Sequence, residues 1–358
     1  MHQNDQMTPK ERQRCLKENR PVDRMPIGII FTSAARRMFA EDLRELKSPA
    51  AIKAETQIKI YETFGVDSVE VFYGLSTFGE IYGAVMSQPE IGAPSILRHP
   101  FSSLEEYRKI SPEIFSAAHE IHARNCLDAL RMIQERIGEE VPYGMGFPGA
   151  FTAASSLVGP ENLLRAIHRD PENLHRLLEV VNAALIRLAA DFLREEIPVG
   201  ISDPVASGSL LRPEQFRTFV QPYARAFVAA CQQIRPYGVS CHICGDTTKI
   251  LLDILNCGYS SLSLDDKVDL AVAKAALGHA IPISGNVPPV EIMALGTPAQ
   301  VAASVRECYR KAGDSPSGFT INTGCDCSPL IPPENVRAYF HAARKCAAYP
   351  YHEEQWQE

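Results

Sequence analysis

Two short stretches carry residue types able to hold a metal ion or do thiol chemistry. The first, CHICGD at 241–246, sets His242 and Cys244 two positions apart, with Cys241 directly before them. The second, NTGCDC at 322–327, offers Cys325 and Cys327. Three readings are open for the first stretch: sulfur in an apolar core, half of a metal site, or a redox pair. Zinc favours neutral imidazole nitrogen and thiolate sulfur in a tetrahedron, and catalytic sites use three protein ligands with a fourth position open. His242 and Cys244 supply two such ligands, and Cys325 or Cys327 is able to supply a third. A Cys241–Cys244 redox pair has little support, because the two would face opposite sides of a regular strand. A nucleophilic Cys–His dyad lacks a helix that presents a thiol at its N-terminus beside a histidine.

Elements must bring these stretches together. Short β-branched runs alternate with longer helical patterns along the whole chain. Strands are expected at 26–30, 68–72, 142–147, 199–202, 237–242, 259–263, 281–284 and 318–322. Helical patterns separate them, among them 172–195, 213–234, 247–256, 298–312 and 333–347. Eight strands with helical crossovers are the count for an α/β (β/α)8 TIM barrel. We expect one domain over 1–358, with an N-terminal helical extension and an insertion between the second and third strands. An open doubly wound sheet is the alternative, but no Gly-x-Gly-x-x-Gly follows the first strand.

In a barrel, function collects at the C-terminal ends of strands. Asp203 follows the fourth strand, His242 and Cys244 close the fifth, Asn286 follows the seventh and Cys325 follows the eighth. Alternation turns Val239, Cys241 and Ile243 outward to the helices, and Ser240, His242 and Cys244 toward the axis. Tyr73, at the end of the second strand, is a candidate pocket residue. Asp203 either meets substrate, orients His242, or caps the turn before Pro204. Asn286 is expected to shape the turn after its strand, and Cys257, beside Gly258, to be structural.

Composition narrows the partners. A net charge of −7 argues against nucleic acid or an anionic membrane. The start, MHQNDQMTPKERQRCLKENR, has no apolar run of a signal peptide, and no stretch reaches the length of a membrane span. A cytoplasmic protein is expected. Ten cysteines then read as thiols of a reducing compartment, with Cys15, Cys126, Cys231, Cys308 and Cys346 as buried small hydrophobes.

Several segments resemble the uroporphyrinogen decarboxylase superfamily, and within it the zinc-dependent, corrinoid-linked methyltransferases. They include MTPKERQRCLKENRPVDRMPI, FGVDSVEVFYGLSTFGEIYGA and ISDPVASGSLLRPEQFRTFVQPY. The most specific are SCHICGDTTKIL, ISGNVPPVEIMALGTPAQV and NTGCDCSPLIPPENVRA. The resemblance implies zinc held by His242, Cys244 and Cys325, because that branch carries His-x-Cys-Gly and a later Gly-Cys. Cys327 falls where the branch usually has an apolar residue. Glu80 matches an acidic position of the family, and with Tyr73 and Asn286 it is a candidate cofactor-binding residue. Asp203 joins the ligands as a candidate catalytic residue. The implied activity is methyl transfer between a corrinoid and a small thiol or other small methyl donor or acceptor. With no evident Asp-x-His-x-x-Gly module, the methylcobamide is expected to arrive as a co-substrate, on a separate corrinoid-binding protein or as a free cofactor. Tetrapyrrole decarboxylation is the alternative, as is a non-catalytic zinc or corrinoid accessory role. Against decarboxylation stand Phe31, where that branch has an arginine, and Cys325, where it tends to have Gly-His-Gly.

Overall fold

A computed structural model describes residues 5–89, 94–110 and 112–349, so the outermost ends of the expected 1–358 domain lie outside the described residues. Its strands are β1 Val69–Phe72, β2 Val85–Met86, β3 Ile96–Arg98, β4 Tyr143–Pro148, β5 Val199–Ser202, β6 Ser240–Ile243, β7 Ser261–Leu264, β8 Ile283–Val287 and β9 Phe319–Thr323. β2 and β3 form a small antiparallel pair, and the rest make one sheet in the order β1-β4-β5-β6-β7-β8-β9. Neighbours run parallel, with Gly200 opposite Ser240 and Asn286 opposite Asn322. Strands that follow one another in both sequence and sheet, with helices between, are the product of repeated right-handed βα units. Seven of the eight expected strands are present, three of them beginning two or three residues late.

The eighth, at 26–30, forms no strand. Pro26 has no N–H to give, and the Ile27 amide donates to Asp67 Oδ2 at 2.7 Å. What remains is a single parallel bridge, Ile27 to Ile321. Gly28 N–H donates to Ile321 O, and Asp67 N–H to Ile27 O, both at 2.8 Å.

The chain packs as two compact units. The first comprises Met1–Val71, Asp128–Tyr143 and Ser261–Glu358; the second comprises Phe72–Leu127 and Gly144–Ser260. In the first, helix Pro298–Ala312 starts at a capping box, Thr297 with Gln300, and has the bounds its sequence predicts. Its buried Val301, Val305, Cys308 and Ala312 recur at three- and four-residue spacing. The first unit also holds a buried charge network. Arg12, fully buried, donates to Asp23 Oδ1 at 2.7 Å and Oδ2 at 2.8 Å, and pairs with Asp67. Arg24 clamps Asp5 through two bonds of 3.0 and 2.7 Å and reaches Asp67 Oδ2 at 2.6 Å. Such bidentate pairs offset the desolvation of buried charge because nearly every donor finds an acceptor.

In the second unit, helix Pro171–Arg194 buries Leu174, Leu177, Leu178, Val181, Leu185 and Leu188 along one stripe, and Asp170 caps its start. Each such side chain contributes roughly 1.5–3 kcal/mol of burial. The helix expected over 213–234 is split into Pro213–Phe219 and Gln221–Ile234. Pro222 causes the break, since it has no N–H to give the carbonyl four residues back. The expected helix at 247–256 is a 3-10 turn, Thr248–Ile250, followed by the short helix Leu251–Leu255.

Candidate metal centre

β6 shows the alternation that its sequence requires. Cys241 and Ile243 are buried, while His242 and the following Cys244 are half-buried. The chain then turns through Gly245 at φ +76°, where a Cβ would stand 2.6 Å from Ser207 Oγ and 2.8 Å from Ser209 Oγ. Only glycine adopts that conformation without strain in that space. His242 Nε2 lies 3.3 Å from Cys244 Sγ, two residues on and on the same side of the strand.

Cys325 sits two residues beyond β9, half-buried, in the loop Gly324–Cys327. Gly324 N–H donates to Val287 O at 2.9 Å, and Cys327 N–H to Ile30 O at 3.0 Å. Asp326 accepts from Thr32 N–H at 3.0 Å and from Ser33 Oγ–H at 2.9 Å. Burial pushes the Asp326 carboxyl up to about 6, against the opposing pull of the Ser33 bond.

The ligand atoms of His242, Cys244 and Cys325 all lie within 4.8 Å of one another, and among the described residues this is the group able to hold a metal ion. One imidazole nitrogen and one sulfur on a tetrahedral zinc stand roughly 3.5 Å apart, given bond lengths of about 2.0–2.1 and 2.3 Å. The donor set fits zinc, and drawing the three atoms in to tetrahedral spacing takes shifts of about an ångström or less. No disulfide joins any of the ten cysteines.

The other sulfurs are placed differently. Cys241 is buried against the Tyr259 hydroxyl, and burial drives its thiol well above the ordinary range. Cys327 is also buried, and its thiol is likewise raised by burial and by neighbouring Asp326. Cys257 donates to Asp253 O at 3.3 Å, with burial holding its thiol up at about 12. A protonated, enclosed thiol is a poor metal ligand and a poor nucleophile.

The remaining candidates fall in separate surroundings. Asp203 follows β5 and is buried, its carboxylate accepting from Thr152 N–H at 2.8 Å and Thr152 Oγ–H at 2.5 Å. It thus caps helix Ala150–Val158 rather than its own turn before Pro204. Burial raises the Asp203 carboxyl to about 6, with the Thr152 and Phe151 bonds opposing. Tyr73 is fully buried, packed on His122 and Phe147 at centroid distances of 4.6 and 5.6 Å. Glu80 is exposed on helix Thr77–Ile81, bonded to Ser76 of the same turn. Asn286 lies inside β8, not after it, and its Nδ2 donates to Asp265 O at 2.9 Å and Val268 O at 2.6 Å. Sequence reading passed over Asp326; an acidic residue between two cysteines, with Thr32-Ser33 opening a distant helix, was its only signal.

Comparison with known proteins places the chain in a family. The family described as Uroporphyrinogen decarboxylase (URO-D) matches residues 8–346. The methylcobamide:CoM methyltransferase MtaA of Methanosarcina barkeri is 25% identical over 339 residues, covering 93% of this chain and 96% of that protein. The methylcobamide:CoM methyltransferase MtbA of Methanosarcina acetivorans is 28% identical over 353 residues, covering 94% and 98%. A solved methyltransferase from Methanosarcina mazei superposes with a TM-score of 0.80 at 24% identity, over 95% of this chain and 99% of that one. That likeness is one of fold. No helix among the described residues is long and apolar enough to cross a membrane.

Proposed function

This chain belongs to the uroporphyrinogen decarboxylase family, and from that membership we propose that it is a zinc-dependent methyltransferase. It moves a methyl group between a corrinoid and a small thiol or other small methyl carrier. The observation that carries this reading is the His242, Cys244 and Cys325 trio, whose ligand atoms lie within 4.8 Å. Two full-length relatives named methylcobamide:CoM methyltransferases support the same class.

In this reading the chain is a single (β/α)8 barrel, with residues 26–30 standing where the eighth strand would be. The Ile27–Ile321 bridge and the Asp67 N–H bond to Ile27 O favour that closure. An N-terminal helix, Pro9–Lys17, precedes it, and the elements between β1 and β4 form the insertion.

His242, Cys244 and Cys325 would hold zinc, one neutral and two anionic donors, leaving a fourth position for substrate. Zinc there would supply Lewis acidity that favours the thiolate form of a substrate thiol at neutral pH. The protein's own part is to fix the three donors: strand alternation sets Cys244 beside His242, and the bonded loop 324–327 sets Cys325. Asp203 acts from behind β6 by its bonds to helix Ala150–Val158 rather than on substrate. Burial keeps Cys241 and Cys327 protonated and away from the ion. The corrinoid is proposed to arrive on a separate protein.

The experiment is a spectral assay of methylcobalamin demethylation with coenzyme M, homocysteine and other small thiols, on zinc-loaded and zinc-stripped protein. Zinc-dependent formation of cob(I)alamin with at least one thiol is expected. Full zinc occupancy without methyl exchange between any cobamide and any thiol or methyl donor would end the methyltransferase reading.

A further inference from the structure

The loop that carries Cys325 is fastened on both sides of the cysteine. Before it, Gly324 is so close to Asp266 that an added Cβ would stand 2.5 Å from the Asp266 nitrogen. After it, the Cys327 amide is bonded to Ile30 O at 3.0 Å. Ile30 N–H in turn donates to Thr323 Oγ1 at 3.1 Å, at the end of β9. Backbone bonds therefore hold the two ends of the loop. Asp326 ties down its middle, with one carboxylate oxygen on Thr32 N–H at 3.0 Å and the other on Ser33 Oγ–H at 2.9 Å.

An acidic residue at this place is electrostatically adverse. A carboxylate adjacent to a cysteine that must become a thiolate raises the free energy of that anion. No such cost attaches to a serine or asparagine. What the side chain gains there is a bond from each oxygen to a donor on a segment almost 300 residues earlier.

We propose that Asp326 is a positioning residue that aims the Cys325 sulfur at the metal centre by locking the 324–327 loop to Thr32 and Ser33. The inference rests on the zinc reading above. Loss of a partner that orients a ligand lowers metal affinity by about 10- to 100-fold in sites of this kind. Asparagine keeps an oxygen for Thr32 N–H and gives an N–H to Ser33 Oγ, so it preserves the lock without the charge.

The test compares wild type with Asp326→Ala, Asp326→Asn and Ser33→Ala by zinc competition against a chromophoric chelator. Asp326→Ala is expected to bind zinc about 10-fold or more weakly, Ser33→Ala several-fold more weakly, and Asp326→Asn within about threefold of wild type. A second readout uses zinc-free protein: the rate at which iodoacetamide alkylates Cys325, followed by peptide mass. Asp326→Ala and Ser33→Ala are expected to accelerate it, and Asp326→Asn to leave it near wild type. A folded Asp326→Ala with wild-type zinc affinity and wild-type alkylation overturns the proposal, as does failure of asparagine to rescue. If Asp326→Ala does not fold, an unchanged Ser33→Ala in both readouts overturns it equally. Wild type that binds no zinc defeats the zinc reading instead, and the alkylation series still decides whether Asp326 holds the loop.

Discussion

Asp203 donates its amide N–H to the carbonyl oxygen of His242 at 2.9 Å, while its own carboxylate holds the N-terminus of helix Ala150–Val158. One residue thereby fastens the β6 backbone at the histidine to a helix laid down some ninety positions earlier. Replacing Asp203 by Ala removes a helix cap, worth about 0.5–2 kcal/mol, and leaves the buried Thr152 hydroxyl without its acceptor, at about 1–3 kcal/mol. A loss of roughly 2–4 kcal/mol is expected by urea denaturation. A variant within 0.5 kcal/mol of wild type would show that the cap is dispensable.

The same contact forbids a side chain at Gly149. A Cβ there would stand 2.1 Å from Asp203 Oδ2. Gly149→Ala is therefore expected to lower the melting temperature markedly, whereas Gly83→Ala, with nothing within 4 Å of the new carbon, acts only through its positive φ. The comparison by differential scanning calorimetry separates steric displacement from backbone strain.

Metal content should follow strand parity. His242→Ala, Cys244→Ala and Cys325→Ala are each expected to lose most of the zinc measured by mass spectrometry of the purified protein. Cys241→Ala and Cys327→Ala should keep it, since both sulfurs are enclosed elsewhere. Zinc lost from Cys327→Ala but kept by Cys325→Ala would assign the last ligand to the wrong cysteine.

The buried network in the first unit sets an acid limit. Burial alone would raise the Asp23 carboxyl, but the hydrogen bonds and charge of Arg12 overcome it and hold it at about 2. A carboxyl with a depressed folded value contributes stability above its ordinary value of 3.8 and loses it as pH falls toward 2. About 2 kcal/mol is expected to disappear between those limits. Denaturation curves at pH 5, 3.5 and 2 check it, with Asp23→Asn expected to flatten this part of the profile while being less stable at pH 5.

Removing one partner of that network should be harsher than removing any surface pair. Arg12→Met leaves Asp23 and Asp67 facing one another without their shared cation, and 3–5 kcal/mol is a typical loss for a broken buried pair, so about that is expected. Arg194→Met, whose partner Asp191 is exposed, should cost well under about 1 kcal/mol. Equal effects in the two variants would deny the network its role.

Much of the candidate site's geometry was legible because strands impose a period of two. That rule separated His242 and Cys244 from Cys241 before any coordinates, and β6 keeps it although it begins three residues later than expected. Helix Pro298–Ala312 was legible from its capping box and stripe. What sequence hid were partners far apart along the chain. Nothing near Asp203 announces Thr152, nothing near Asp326 announces Thr32, and Asp67 reads as an ordinary polar residue before a strand. The run at 26–30 has strand composition, yet a carboxylate takes its key amide. Such competition between a side chain and a ladder leaves no periodic trace.

The bridge between Arg24 and Ala348, with the Asp5–Arg344 pair at 3.7 Å beside it, also has a consequence in time. These contacts join residues more than 300 positions apart, so a ribosome delivers one side of each long before the other. At roughly 5–20 residues per second, the early side waits on the order of tens of seconds. During that interval Arg24 and Asp5 have each other but not their late partners, while Phe72–Leu127 and Gly144–Ser260 are being made. The segment that carries Asp5 and Arg24 therefore stays unfinished until helix Pro333–Cys346 and Ala348 emerge, and a stall in translation between β7 and that helix exposes it for as long as the stall lasts.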